Sequence, residues 1–157
     1  MTLQHRIHSD IESLDVVSQR LLPILRHFLA SMQGDSKDGW QVAFATAEEI
    51  WGEGHGLAIA HRTATFLSAL LQARQLSLDV ADPHCVTARL RLTEDEFAIL
   101  TLLAHARADE PSAARDLIGH LTGRKIDARV IRTVVELTAL LGGTPDRRRC
   151  NPRLRAV

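Results

Sequence analysis

The sequence predicts a mainly α-helical, single-domain bundle of about six helices. Three observations carry that reading. Between Leu92 and Leu141, three apolar stretches of helical period each bring their own start and stop signals. Residues 10–33 repeat apolar side chains every three or four positions, the spacing of one helix face. Only residues 78–92 alternate apolar and polar side chains with a period of two. At 157 residues the chain can bury a proper core without disulfides or metal.

Taken in order, residues 1–8 are expected to fray, and a helix starts at Ser9 or Asp10 and runs to about Gln33. Ile11, Leu14, Val17, Leu21, Leu25, Phe28 and Met32 share one of its faces, with Pro23 on the polar side. Such a helix is about 35 Å long and overhangs a small domain, so its stripe predicts a homodimer through helix 10–33. The run Gly34–Gly39 is a turn-rich linker. A second helix over 39–51 places Trp40, Phe44, Ala47 and Trp51 inward as core.

Gly52-Glu53-Gly54-His55-Gly56 lacks the Lys-Ser/Thr of a phosphate-binding loop and follows no strand, so it reads as a bend between helices. From Leu57 to about Gln75 the next helix turns Ile59, Thr63, Phe66, Leu67, Leu70 and Leu71 inward. Val86, Ala88, Leu90 and Leu92 then alternate with polar residues, which predicts either a short β-hairpin at 78–92 or an extended surface loop.

Thr93-Glu94-Asp95-Glu96 has the form of a capping box, with Leu92 and Phe97 spaced as a hydrophobic staple. Phe97, Ile99, Leu100, Leu102 and Leu103 make that helix apolar round most of its circumference, leaving Ala98, Thr101 and His105 for water. It is therefore expected at the centre of the fold. Asp109 or Glu110 caps the next helix, Pro111 opens it, and Gly123 stops it. Asp127 caps the last one, Ile126 and Ile131 form a second staple, and Gly142-Gly143 ends it. Arg129, Arg132, Thr133 and Glu136 share its outer face. The single helical domain thus spans 1–143, and residues 144–157 form a flexible tail with five arginines.

Cys85 and Cys150 give neither a disulfide framework nor a zinc spacing. Nothing resembles a signal peptide, and no apolar run reaches membrane-spanning length. A cytoplasmic protein is expected. The 17 arginines against 2 lysines point to a GC-rich, bacterial-like genome. Charge is unevenly divided: residues 1–110 hold 9 basic and 15 acidic side chains, a net −6, and residues 111–157 hold 10 and 4, a net +6. That asymmetry fits either an anionic partner or attraction between halves or subunits.

Asp82, His84 and Cys85 are metal-ligand types in one loop, but zinc would require a further ligand such as His55 or His61. Glu48, Glu49, Glu53, His55 and His61 are acid–base types that no spacing brings together, and Cys85 lacks a facing base. No enzyme and no cofactor are expected.

The run LTEDEFAILTLLA is similar to the opening of helix-turn-helix output domains of response regulators. A second helix, the turn Thr122-Gly123-Arg124-Lys125 and a third helix follow in the same order over about 50 residues, a likeness of pattern. The resemblance implies a DNA-binding regulator whose Arg124, Lys125, Arg129 and Arg132 face phosphates or bases. Against that stands Glu136, one turn from Arg132 and able to pair with it. The leading expectation is a non-enzymatic helical interaction or regulatory module working through protein contacts. The DNA-binding regulator comes second and a metal- or small-ligand-binding bundle third.

Overall fold

The computed structural model describes residues 11–142. Six α-helices occur in that span: α1 (Val16–Met32), α2 (Gly39–Trp51), α3 (Glu53–Arg74), α4 (Glu94–Arg107), α5 (Pro111–Leu121) and α6 (Ala128–Leu141). Short 3-10 turns cover Ile11–Ser13 and Ala88–Leu90, and no strand occurs among the described residues. The expected mainly helical bundle is what forms. The arginine tail, Cys150 and residues 1–8, which were expected to fray, lie outside the described residues.

Helices α1, α2 and α3 follow one another as packed neighbours. α6 lies along α3, α5 packs on α4, and α4 touches α1 and α6. Arg129 of α6 meets Gln72 of α3, and Glu136 meets Arg62, so these two helices run antiparallel. One continuous apolar core draws on all six helices.

Helix α1 starts later than the sequence suggests. Asp15 accepts hydrogen bonds from the Val17 and Ser18 N–H groups at 3.0 and 3.2 Å and so supplies the N-cap. From Leu21 to Ala30 every residue but Pro23 and His27 is buried. Helix α4 is as enclosed, with every residue from Asp95 to Leu103 but Phe97 and Thr101 buried, so the two helices share the centre of the bundle.

Helix α4 begins at its expected capping box, Thr93 accepting from the Glu96 N–H and Glu96 from the Thr93 N–H, both at 3.1 Å. Its open strip, however, runs through Glu94, Phe97, Thr101 and Ala108. Phe97 is 37% exposed and Ala98 only 5%, so the helix is rotated by about one residue from expectation. In a helix apolar nearly all round, hydrophobicity alone does not choose the strip. The second staple also stays open, with Ile126 exposed.

The α2–α3 corner is tighter than expected. Gly52, at φ +84°, makes the whole turn by itself, and Gly54, His55 and Gly56 already belong to the first turns of α3. The residues of α2 that face inward are Gly39, Ala43 and Ala47, while Trp40 is half exposed and Phe44 and Trp51 are partly buried. Small residues let α2 approach its neighbours, and Phe44 fills the margin edge-on against Phe28 with ring centres 5.5 Å apart. On α6, Thr133 is buried rather than outward, its hydroxyl donating to the Arg129 carbonyl at 3.0 Å.

Candidate interaction face

Residues 75–92 cross one end of the bundle as a loop, not a hairpin. A loop with no partner strand among the described residues must place its backbone polar groups elsewhere. Here helix side chains take them. Gln33, the C-cap of α1, both accepts from the Leu78 N–H at 2.7 Å and donates to the Leu78 carbonyl at 3.1 Å. Asp95 accepts from the Asp79 N–H at 2.7 Å, and Glu96 from the Ala81 N–H at 3.0 Å. Arg26 of α1 donates to the Arg89 and Arg91 carbonyls at 3.0 and 2.6 Å.

Two ion pairs hold those side chains in turn. Arg26 and Glu96, 4% and 0% exposed, meet through paired contacts of 2.7 and 2.9 Å. Arg74 of α3 grips Asp95 at 2.9 and 3.2 Å. Both are forked guanidinium–carboxylate contacts, the geometry that fixes orientation as well as distance. The loop is thereby tied to α1, α3 and α4 together. Leu78 and Leu92 anchor it in the core, whereas Val86 and Leu90, two other apolar members of the alternation, are 66% and 73% exposed. They stand one helical turn apart, since the Arg89 N–H bonds the Cys85 carbonyl.

Exposed charges of both signs flank this apolar pair in the chain: Asp82 before Val86, and Arg89 and Arg91 on either side of Leu90. The sequence flagged neither Arg26 nor Asp95. One signal was available, a lone arginine amid Leu22, Ile24, Leu25, Phe28 and Leu29, which must find a counter-charge if that run is buried.

The loop also holds the three ligand-type residues. Asp82 accepts from the His84 N–H at 2.9 Å in a local turn, and Cys85 sits 3.2 Å from the Thr87 hydroxyl. That hydrogen bond, with the backbone of Ala88 and Thr87 assisting, holds the free Cys85 thiol below its ordinary range. Among the described residues no group of three or more His, Cys, Asp and Glu side chains is placed to hold a metal ion. His55 and His61 lie exposed on α3.

His84 instead packs edge-on against His27 of α1, ring centres 5.6 Å apart. The buried Nδ1 of His27 has no hydrogen-bond partner. Burial, aided by repulsion from His84, lowers the pKa of His27. A His with a depressed native pKa adds stability that is complete above its unfolded value, about 6.5. That stability is lost as pH falls through this range. Between pH 7.5 and 5, the wild type is therefore expected to lose more of its urea midpoint than His27→Phe. Parallel pH curves for the two proteins would refute this.

The four cations of the DNA-binding reading are divided. Arg129 donates to Gln72 at 3.0 Å, and Glu136 pairs with Arg62 of α3 at 2.6 Å rather than with Arg132. Arg124, Lys125 and Arg132 are exposed. Arg124 has φ +71°, immediately after Gly123 at +67°. A side chain at such φ costs about 1–2 kcal/mol, so Arg124→Gly is expected to raise stability by about 1 kcal/mol in urea unfolding.

The middle of the α1 stripe that suggested a homodimer, Leu21, Leu25 and Phe28, is buried within the chain, where α1 packs on α2, α3 and α4. Of the large apolar residues on that helix, only Val16 and Met32, at its two ends, stay exposed. Among the described residues no helix is long and apolar enough to cross a membrane. Compared with known proteins, the chain matches no family model, no curated protein and no solved structure.

Proposed function

We propose that the protein is a non-enzymatic, cytoplasmic helical interaction module that acts through protein contacts, with the clamped loop 75–92 as its contact surface. One observation carries this reading: two ion pairs inside the fold hold a loop that turns Val86 and Leu90 outward. Buried ion pairs contribute little net stability, and fixing one geometry is their better-attested use. A surface already held in shape loses less entropy when it binds. The free Cys85 thiol fits a reducing compartment.

The partner proposed is a second copy. Asp82, Arg89 and Arg91 flank the apolar pair, and a two-fold contact can set a basic residue of one copy against Asp82 of the other. Sedimentation across a concentration series is the test. Wild type is expected to self-associate, and Val86→Glu with Leu90→Glu to stay monomeric at an unchanged thermal midpoint. A wild type that remains monomeric at about 1 mM, near −4 kcal/mol of association, would overturn the choice of partner.

A DNA-binding reading draws support from the unpartnered Arg124, Lys125 and Arg132 near the α5–α6 turn. It requires an affinity that falls steeply with salt and is sensitive to Arg132→Ala.

A further inference from the structure

Where the loop meets the start of α4, a groove runs from Leu76 and Asp79 to the α5–α6 turn. It has two lobes of about 410 and 590 Å³ that share His120 and Gly123. Their lining is electrically polar. In the first, Arg74 and Asp95 satisfy one another, leaving the side chains of Asp79 and Glu94 with no partner among the described residues. The second is lined by Arg115 and Arg124, equally without partners, and by one carboxylate, Asp116. Leu76 and Ile126, 70% and 55% exposed, add apolar surface, one to each lobe.

We propose that this groove binds a short peptide segment carrying one basic and one acidic side chain. A ligand of a single charge would meet repulsion in one lobe, whereas a dipolar one is matched in both. A spacing of about three residues of extended chain, on the order of 10 Å, lets the two end charges of a short peptide reach separate lobes. Arg124 supports the assignment independently of charge. It occupies a left-handed position that glycine would fill without strain, next to Gly123, which does so. Strain retained at a cleft points to a use for the side chain. The groove shares Leu76 and Asp79 with the loop but not Val86 or Leu90, so binding there does not require self-association.

The test is a titration of the isotope-labelled full chain with acetyl-Lys-Ala-Ala-Glu-amide, followed by amide shifts. Saturable shifts are expected on both sides of the groove, around Asp79 and Glu94 and around Arg115 and Arg124. Glu94→Gln and Arg124→Gly should each weaken binding at least about threefold, the order of one lost exposed charge contact. The second variant also relaxes the backbone, so misfolding does not explain a loss. Peptides with lysine or glutamate at both ends should bind at least about threefold more weakly by the same reasoning. Equal affinity for all three peptides, stronger binding of the doubly acidic one, absence of saturable shifts, or indifference to both variants would each overturn the proposal. So would loss of binding in the Val86→Glu, Leu90→Glu protein, which would move the contact to the loop.

Discussion

Glu96→Ala is expected to cost about 3–5 kcal/mol, the usual penalty for leaving a buried charge without its partner. Arg26, 4% exposed, would keep its guanidinium in a site from which the counter-charge had gone. The loss would also free the Ala81 and Thr93 N–H groups, so the loop and the start of α4 would loosen together. Glu96→Gln is not a mild alternative. Oε1 receives Arg26 Nε and the Ala81 N–H, and Oε2 receives Arg26 Nη2 and the Thr93 N–H. Whichever oxygen becomes an amide nitrogen, two donors then face a donor. About 2 kcal/mol or more should be lost, from the cost of unsatisfied buried groups. Urea midpoints measure both variants. If Glu96→Gln unfolds like wild type, the carboxylate is not the hub described here.

That hub shows where sequence reading succeeds and where it stops. The capping box at Thr93 was legible because its four residues are contiguous and its chemistry is local. Asp127 was legible for the same reason, its carboxylate accepting from the Arg129 N–H at 2.7 Å. Glu96 was therefore assigned half its role. The other half comes from Arg26, seventy positions earlier, and no local rule joins the two.

The loop was open to two readings, a hairpin or an extended surface segment, and the second is what forms. Its alternation was real, but alternation implies a strand only when another strand takes the backbone groups. Here Gln33, Arg26, Asp95 and Glu96 take them, so Val86 and Leu90 are free to point outward. Of the metal-ligand candidates, the sequence gathered Asp82, His84 and Cys85 into one loop correctly. It did not foresee that His84 stacks on His27. The surface proposed for binding was hidden because exposure of an apolar residue is a tertiary property.

Gly56→Ala puts the helix contacts to a sharper test, because two physical effects predict opposite signs. In a helix, replacing glycine by alanine usually gains roughly 0.5–1 kcal/mol through reduced backbone entropy in the unfolded chain. Gly54 meets only that effect, since a Cβ there would have nothing within 4 Å. Gly54→Ala is thus expected to stabilise. At Gly56 a Cβ would lie 2.3 Å from the Ala47 carbonyl oxygen and 2.8 Å from the Glu48 Cα. Both are backbone atoms of α2, so no side chain can swing aside. Relief requires α2 and α3 to separate, yet Gly52 is the only residue joining them. Separation would also disturb Ala43 and Ala47, fully buried on α2. Overpacking of this kind costs about 1–3 kcal/mol, and the upper part of that range is expected because the obstacle is main chain. Two glycines two residues apart should therefore respond with opposite shifts in urea midpoint. A gain at both would mean that α2 and α3 lie farther apart than their small residues imply.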